Sequence, residues 1–408
     1  MRMEEFMQNK MKKMKKEGFM QGILALIFSQ VLIKLLGLIY KLYLTNKQGF
    51  GDEGNAIYSS GFQIYALLLT LSSIGVPNAV AKLVSERTSI GDNRGAHKIF
   101  KISFITFGFI GFLGTLILFF GAKYIANVLL QIPEAELSLI SLSPSIFFVS
   151  IISVIRGYFN GKQTMKATAN SQTIEQLFKT IFSVILVEVI GITSGINTTL
   201  MAAGANFATT LATIASFVYL YKYYKVRKRE IAYEVKTSVN YKGNRVRNIL
   251  KNILLVSIPM SLSSILTSVN KNVDSMTVVR GLKRYLSEQD AKIQYGILSG
   301  KVDTLITLPL SFNIAFATAL VPALSSSIAR NDIETGKKKI SFSILVTILI
   351  GLPCTIGMII FAKPILFLLF PNASSGETIF QIAAISIIFT ALEQTVNGAL
   401  QGIGKAFV

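Results

Sequence analysis

A chain of 408 residues that is 51% apolar and only 15% charged, with a mean hydropathy of +0.54, is too apolar for a soluble domain. Its one cysteine, Cys354, excludes an internal disulfide, and its one histidine, His97, leaves no His/Cys set at metal-ligand spacing, so thiol and metal-hydrolase chemistry find no footing. A formal charge of +20 would point to nucleic acid on a soluble domain, but here the basic residues cluster between apolar runs long enough to cross ~30 Å of hydrocarbon, and no nucleic-acid partner is expected.

In chain order, residues 1–19 form a basic, Met- and Lys-rich segment, either a surface helix or a disordered tail, and no small-residue cleavage pattern follows it. Membrane helices are predicted at roughly 20–43, 57–86, 98–122, 137–160, 168–191, 196–222, 250–278, 294–326, 338–369 and 377–402, about ten in all. Lys and Arg in alternate connections divide 28 to 6 in favour of the side holding the N-terminus, which places that terminus in the cytoplasm. The spans group into an N-lobe of six helices over 20–222, a basic linker over 223–248 without a sustained helical stripe, and a C-lobe of about four helices over 249–408. The expected class is an all-α polytopic membrane protein.

The first span carries Lys34 at its middle and Lys41 nearer its outer end. An ammonium in hydrocarbon needs water or a partner, which points Lys34 to an internal cavity; Lys41 is divided between a cavity and snorkelling to the interface. The second span meets Gly75 and Pro77, where a kink or helix end is expected because proline lacks a donor. The stretch 142–176 then joins two spans across the basic turn Asn160-Gly161-Lys162, with Arg156 at the inner end of one and Gln172, Glu175 and Gln176 carried into the other. Arg156 is either a phosphate-gripping cation or an interface anchor, and Glu175 with Lys179, four residues on, reads as a structural ion pair.

Beyond the linker, Lys271 and Asp274 share a helical face, Lys301 is close to Asp303, Glu393 sits in the tenth span, and Pro322 recurs in surroundings like those of Pro77. Gly95 and Gly336 are 241 residues apart, as are Gly157 and Gly398, while the two prolines are 245 apart. That pattern reads as a duplicated unit of about six helices with a small insertion. An even number of spans between equivalent points gives both copies the same membrane orientation, with a substrate path between them.

The elements GVPNAVAKLVSE (75–86), IRGYFNGKQTMKATANSQTIEQ (155–176), LPL with ATALVPALS (308–325) and NGALQGIGK (397–405) resemble the MOP exporter superfamily of multidrug, oligosaccharidyl-lipid and polysaccharide exporters. Within it they are most similar to the branch of stage V sporulation protein B and the MurJ-type lipid II flippases. The resemblance implies two six-helix lobes around a central cavity, the second incomplete here, and a transporter in place of an enzyme. Its implied cargo is an undecaprenyl-diphosphate-linked saccharide, lipid II or a polysaccharide repeat unit, moved from inner to outer leaflet for cell-wall, spore or polysaccharide biogenesis.

The resemblance also implies site residues. Lys34 and Lys41, flanking Leu36-Gly37, are similar to functional basic residues on the first helix of those flippases, and Asp274 is the candidate ion-coupling ligand, with Na+ and H+ both open. With Arg156, Lys271 and Lys301 the two lysines make the set of cations expected to meet the cargo, and Gly75, Pro77 and Pro322 are the expected hinges. No cofactor or metal is expected; the partners are membrane lipids and the lipid-linked saccharide, and the transporter is expected to be a monomer. The alternative is a cation-coupled MATE-type drug exporter, whose cavity relies on acidic groups, whereas the first span here has basic residues and no acidic one. A membrane-bound sugar-lipid synthase would need an acid/base or metal cluster in a loop, and no loop supplies one.

Overall fold

Because hydrocarbon offers the backbone no water, a chain of this composition must close its hydrogen bonds within helices. The computed structural model, which describes residues 19–70, 75–239, 246–329 and 332–403, is helical throughout with no strand among the described residues. The first lobe comprises α1 (Phe19–Asn46), α2 (Gly51–Leu69), α3 (Gly75–Ser89), α4 (Asn93–Tyr124) with a π turn (Ile125–Leu130), α5 (Ala135–Gly161), α6 (Lys166–Thr193) and α7 (Thr198–Lys236). There follow α8 (Val246–Leu282), α9 (Glu288–Gly296) with a second π turn (Ile297–Val302), α10 (Asp303–Ala329), α11 (Ile333–Ile360), α12 (Ala362–Leu369), α13 (Glu377–Ala384) and α14 (Ser386–Gly402). By length and composition six of these can cross a membrane: α4 with its π turn, α5, α6, α7, α11, and α13 with α14. The other four expected spans fall in α1, in α2 with α3, in α8, and in α9 with α10.

Helix starts follow the side chains present. Asp92 accepts from the Gly95 amide at 2.7 Å to begin α4, and Asp332 accepts from the Thr335 amide at 3.0 Å to begin α11. That hydrogen bonding, chiefly to the Thr335 hydroxyl, holds the Asp332 carboxyl below the usual carboxylate range.

Lipid and core faces separate by helix. The apolar window of α5 is 72% inside the protein, against 22% for α4 and 17% for α6, so α5 is the axis of the first lobe and its neighbours present Ile105, Phe109, Phe120, Ile181, Ile185 and Val189 to lipid. Small residues allow α5 to approach α3 closely: a Cβ at Gly157 would lie 2.7 Å from the Pro77 carbonyl oxygen, and one at Gly161 2.7 Å from that of Ala81.

The same contact recurs in the second lobe, where a Cβ at Gly398 of α14 would lie 2.7 Å from the Ala317 carbonyl of α10. The duplication is therefore visible in the packing, with one correction to its register. The counterpart of Pro77 is Ala317, 240 residues on like the Asp92/Asp332 caps, and not Pro322. The offset then changes by one residue only, from 240 at these positions to 241 at the glycines, because the repeat follows the backbone approach and not the proline. Residue 322 lies further along α10; its side chain is outside the described residues, as are residues 1–18. Pro77 itself stands in the first turn of α3, where its missing donor costs no hydrogen bond, and Gly75 opens that helix.

The expected linker is also corrected, since residues 223–236 continue α7 as helix. Ile231 is buried with Tyr223, Tyr224, Phe100 and Tyr158, and Lys162 pairs with Glu234, so a sparse apolar stripe sufficed to dock the segment. At 39 residues α7 is about 58 Å long, roughly twice the hydrocarbon thickness. α8, the first helix of the second lobe, lies against α2, α3 and α4 of the first and also packs on α9.

Gly157→Val should overpack the α3–α5 contact and cost about 1–3 kcal/mol. A lowered melting temperature of the purified protein is the expected result, with Gly195→Ala, at a position whose Cβ meets nothing within 4 Å, affected only through its positive φ.

Candidate functional site: paired lysines in an aromatic cage

Three aromatic residues from two helices, Tyr40 of α1 with Tyr58 and Phe62 of α2, come together near the distal end of the first lobe, the end opposite the N-terminus. The Tyr40 and Tyr58 hydroxyls are 3.2 Å apart, and the rings of Tyr58 and Phe62 stack at 5.9 Å. Two ammonium groups enter this cage. Lys41 lies 4.7 Å from the Tyr58 ring centre, and Lys179, from the middle of α6, lies 4.3 Å from that of Phe62 and 5.5 Å from that of Tyr40. Lys41 is 5% and Lys179 8% exposed, yet among the described residues no carboxylate is within ion-pair distance of either. Asp52 and Asp303 act on Lys41 only through space. Ring quadrupoles offset part of the desolvation of a cation, contributing about 0.5–2 kcal/mol each, but carry no net charge. Neither lysine of the cage therefore has a counter-ion in contact.

The expected cations part company here. Lys41 is in the cage, not snorkelling. Lys34 is exposed on the same helix and stands about 20° from Lys41 around its circumference, two turns closer to the N-terminal end. Arg156 is not a free cation: its guanidinium donates to Ser171 Oγ at 2.8 Å, Glu175 at 2.8 Å and Ser216 Oγ at 3.1 Å. Glu175 is thus taken by α5 and not by Lys179, which corrects the expected i, i+4 pair. The Lys271 side chain lies outside the described residues, and Asp274 is exposed on α8, with no group of three or more His, Cys, Asp or Glu side chains placed to hold a metal among the described residues. Lys179, read as structural from the sequence, is the residue missed. The available signal was its place in the middle of a span with no acidic neighbour left once Arg156 is considered.

Lys301 belongs to a different device. It is fully buried, and its three ammonium donors go to Asp52 at 2.9 Å and to the carbonyls of Ala373 at 2.6 Å and Ser375 at 2.8 Å, leaving none for cargo. Asp52 opens α2 and Lys301 lies in the second π turn, so the pair joins the lobes. Around it, Lys292 bonds Glu134 at 2.7 Å, Asn46 donates to the Leu369 carbonyl at 2.8 Å, and Asn372 donates to the Asn46 carbonyl at 2.8 Å. Gly300 packs so closely on Asn55 that a Cβ would come within 2.6 Å of it. Glu288, bonded first of all by Lys283, is held below the usual carboxylate range at the rim. These polar contacts between the first lobe and α9–α14 hold the lobes together at this distal end.

A family model described as polysaccharide biosynthesis protein matches residues 19–328, and one described as MatE matches 300–408. The chain belongs to the polysaccharide biosynthesis protein family, within the MOP exporter superfamily. Stage V sporulation protein B of Bacillus subtilis (strain 168) is 26% identical over 395 residues, covering 96% of this chain and 74% of that protein. The lipid II flippase MurJ of the same organism is 22% identical over 400 residues, covering 95% of this chain and 73% of its own length. Among solved structures, a MATE multidrug transporter of the MOP superfamily in its inward-facing conformation aligns with TM-score 0.70 at 16% identity, covering 93% of this chain and 85% of that one. An outward-facing structure of a MATE transporter aligns with TM-score 0.64 at 16% identity, over 95% and 82%. These likenesses establish the fold of a polytopic membrane transporter of this superfamily.

Lys301→Met removes one partner of a buried pair and strands Asp52, a change that typically costs about 3–5 kcal/mol. With Cys354 replaced by Ala, an Asn55→Cys probe should go from unreactive to labelled by an impermeant thiol reagent when Lys301→Met is added; unchanged labelling would mean that the pair does not hold the distal end shut.

Proposed function

We propose that this chain carries a polyprenyl-diphosphate-linked saccharide, of the lipid II or polysaccharide repeat kind, from the inner to the outer leaflet of a bacterial plasma membrane. The reading rests on the Lys41–Lys179 cage, two buried lysines without a counter-ion in contact. Two unit charges about 4 Å apart attract by about 4 kcal/mol at the effective dielectric of a partly buried site, which offsets part of what a diphosphate loses in leaving water. The relatives named for lipid II flipping and spore formation support the same cargo class. The asymmetry of basic connections puts the N-terminal end in the cytoplasm, which makes the distal end the outer face.

In this orientation the cargo enters from the cytoplasmic side. Lys34, on the cage side of α1 and nearer the N-terminal end, meets the headgroup first; Lys41 and Lys179 hold it deeper. Rocking of the lobes breaks the Asp52–Lys301 and Glu134–Lys292 pairs and opens the outer side, while the polyprenyl tail stays in lipid. No covalent bond changes. The MatE match over 300–408 favours a second reading, cation-coupled drug export, but a cage of two lysines offers no acid to the cationic substrates that reading requires.

In cells dependent on this chain, accessibility labelling of lipid II on the outer leaflet should fall to background for Lys41→Ala/Lys179→Ala, with protein levels maintained. Lys34→Ala should lose at least tenfold in rate. Wild-type labelling by the double variant, or efflux of a cationic dye abolished by it, would replace the flippase with the exporter.

A further inference from the structure

Helix geometry alone would place Glu175 one turn from Lys179, where an i, i+4 carboxylate neutralises an ammonium. We propose that Arg156 is the polarity-setting residue of the first lobe: it withholds Glu175 from Lys179 and so keeps the cage positive. This inference rests on the reading of the cage as a diphosphate site.

Three observations carry it. Glu175 is the nearest carboxylate to Lys179 on its own helix; the other acid of α6, Glu188, is committed to Lys47 and Tyr43 near the distal end. The Arg156 fork is oriented by partners on two helices, Ser171 of α6 and Ser216 of α7, and Ser216 in turn donates to the Ser171 carbonyl at 3.1 Å. The guanidinium is thus aimed before it meets Glu175, and its planar donors suit a carboxylate better than an ammonium would. Lys179 then turns away from Glu175 toward the rings of Phe62 and Tyr40. Arg156 is a positioning residue on this account and never touches cargo.

The test compares wild type, Arg156→Gln, Glu175→Gln and the double variant, as purified full chain in detergent. Dicyclohexylcarbodiimide, which reaches buried carboxylates, condenses an adjacent carboxylate and amine into an amide with loss of one water, read by mass spectrometry of the peptide holding residues 175 and 179. The Glu175–Lys179 amide should form in Arg156→Gln and not in wild type. Binding of geranyl diphosphate should weaken at least tenfold in Arg156→Gln and return to within about threefold of wild type in Arg156→Gln/Glu175→Gln. A purely structural clamp predicts the reverse, since the double variant has lost both partners. Should Arg156→Gln not fold, Arg156→Lys supplies the comparison, its weaker hold on Glu175 giving a partial loss that Glu175→Gln reverses. Absence of the amide in the single Arg156 variant, which retains Glu175, or no recovery on removing Glu175, overturns the proposal. Failure of wild type to bind geranyl diphosphate would instead count against the diphosphate reading, and the amide result would still decide the role of Arg156.

Discussion

Two ammonium groups are held out of water with no carboxylate beside them, and the rest of the first lobe is arranged to tolerate this. Removing an isolated charge from water costs several kcal/mol even after relaxation, and aromatic faces recover only part of it. Such a site is stable only when the surroundings prevent the cheaper outcome, collapse onto a nearby acid. Three nearby acids have another partner, Glu175 with Arg156, Glu188 with Lys47 and Tyr43, and Asp52 with Lys301, while Asp303 acts on Lys41 only through space. The charge left over is a property of the whole set of pairings and not of any one lysine.

The same economy of charge sorts the two kinds of buried lysine. Lys301 has three acceptors for three donors and acts as a rivet between lobes; Lys41 and Lys179 face rings and retain hydrogen-bonding capacity. Contact at the distal end needs close backbone approach as well as ion pairing, which is why Gly296 and Gly300 face Asp52 and Asn55 across the lobe boundary. The lobe interface combines these ion pairs and close glycine contacts with apolar burial, Tyr295 entering the first lobe's core and Leu42 packing on the second lobe's cluster.

Helix existence, the internal duplication and the membrane class were all legible without coordinates, because hydrocarbon permits only one local solution and because duplicated glycines keep their spacing. The register of the repeat was less so. Pro77 and Pro322 look alike in sequence, but Gly157 and Gly398 choose Pro77 and Ala317 as the backbones they touch, and a steric approach leaves no trace in residue type. The α7 extension was missed for a related reason, since Ile231 is a single apolar residue in a charged run and its burial depends on tyrosines from the same helix and from α5.

By itself the sequence determined that this chain is a bundle of membrane helices built on a repeat, with basic connections on one side and lysines inside its spans. Those conclusions depend on composition and period, which are local or summed along the chain. Which lysine is spent on a lock, which is left uncompensated and which glutamate goes to which cation was decided only by the tertiary structure. An ion pair is set by distance in space, and residues 52 and 301, or 156 and 175, become neighbours only when helices far apart in sequence or reversed by a turn are packed side by side.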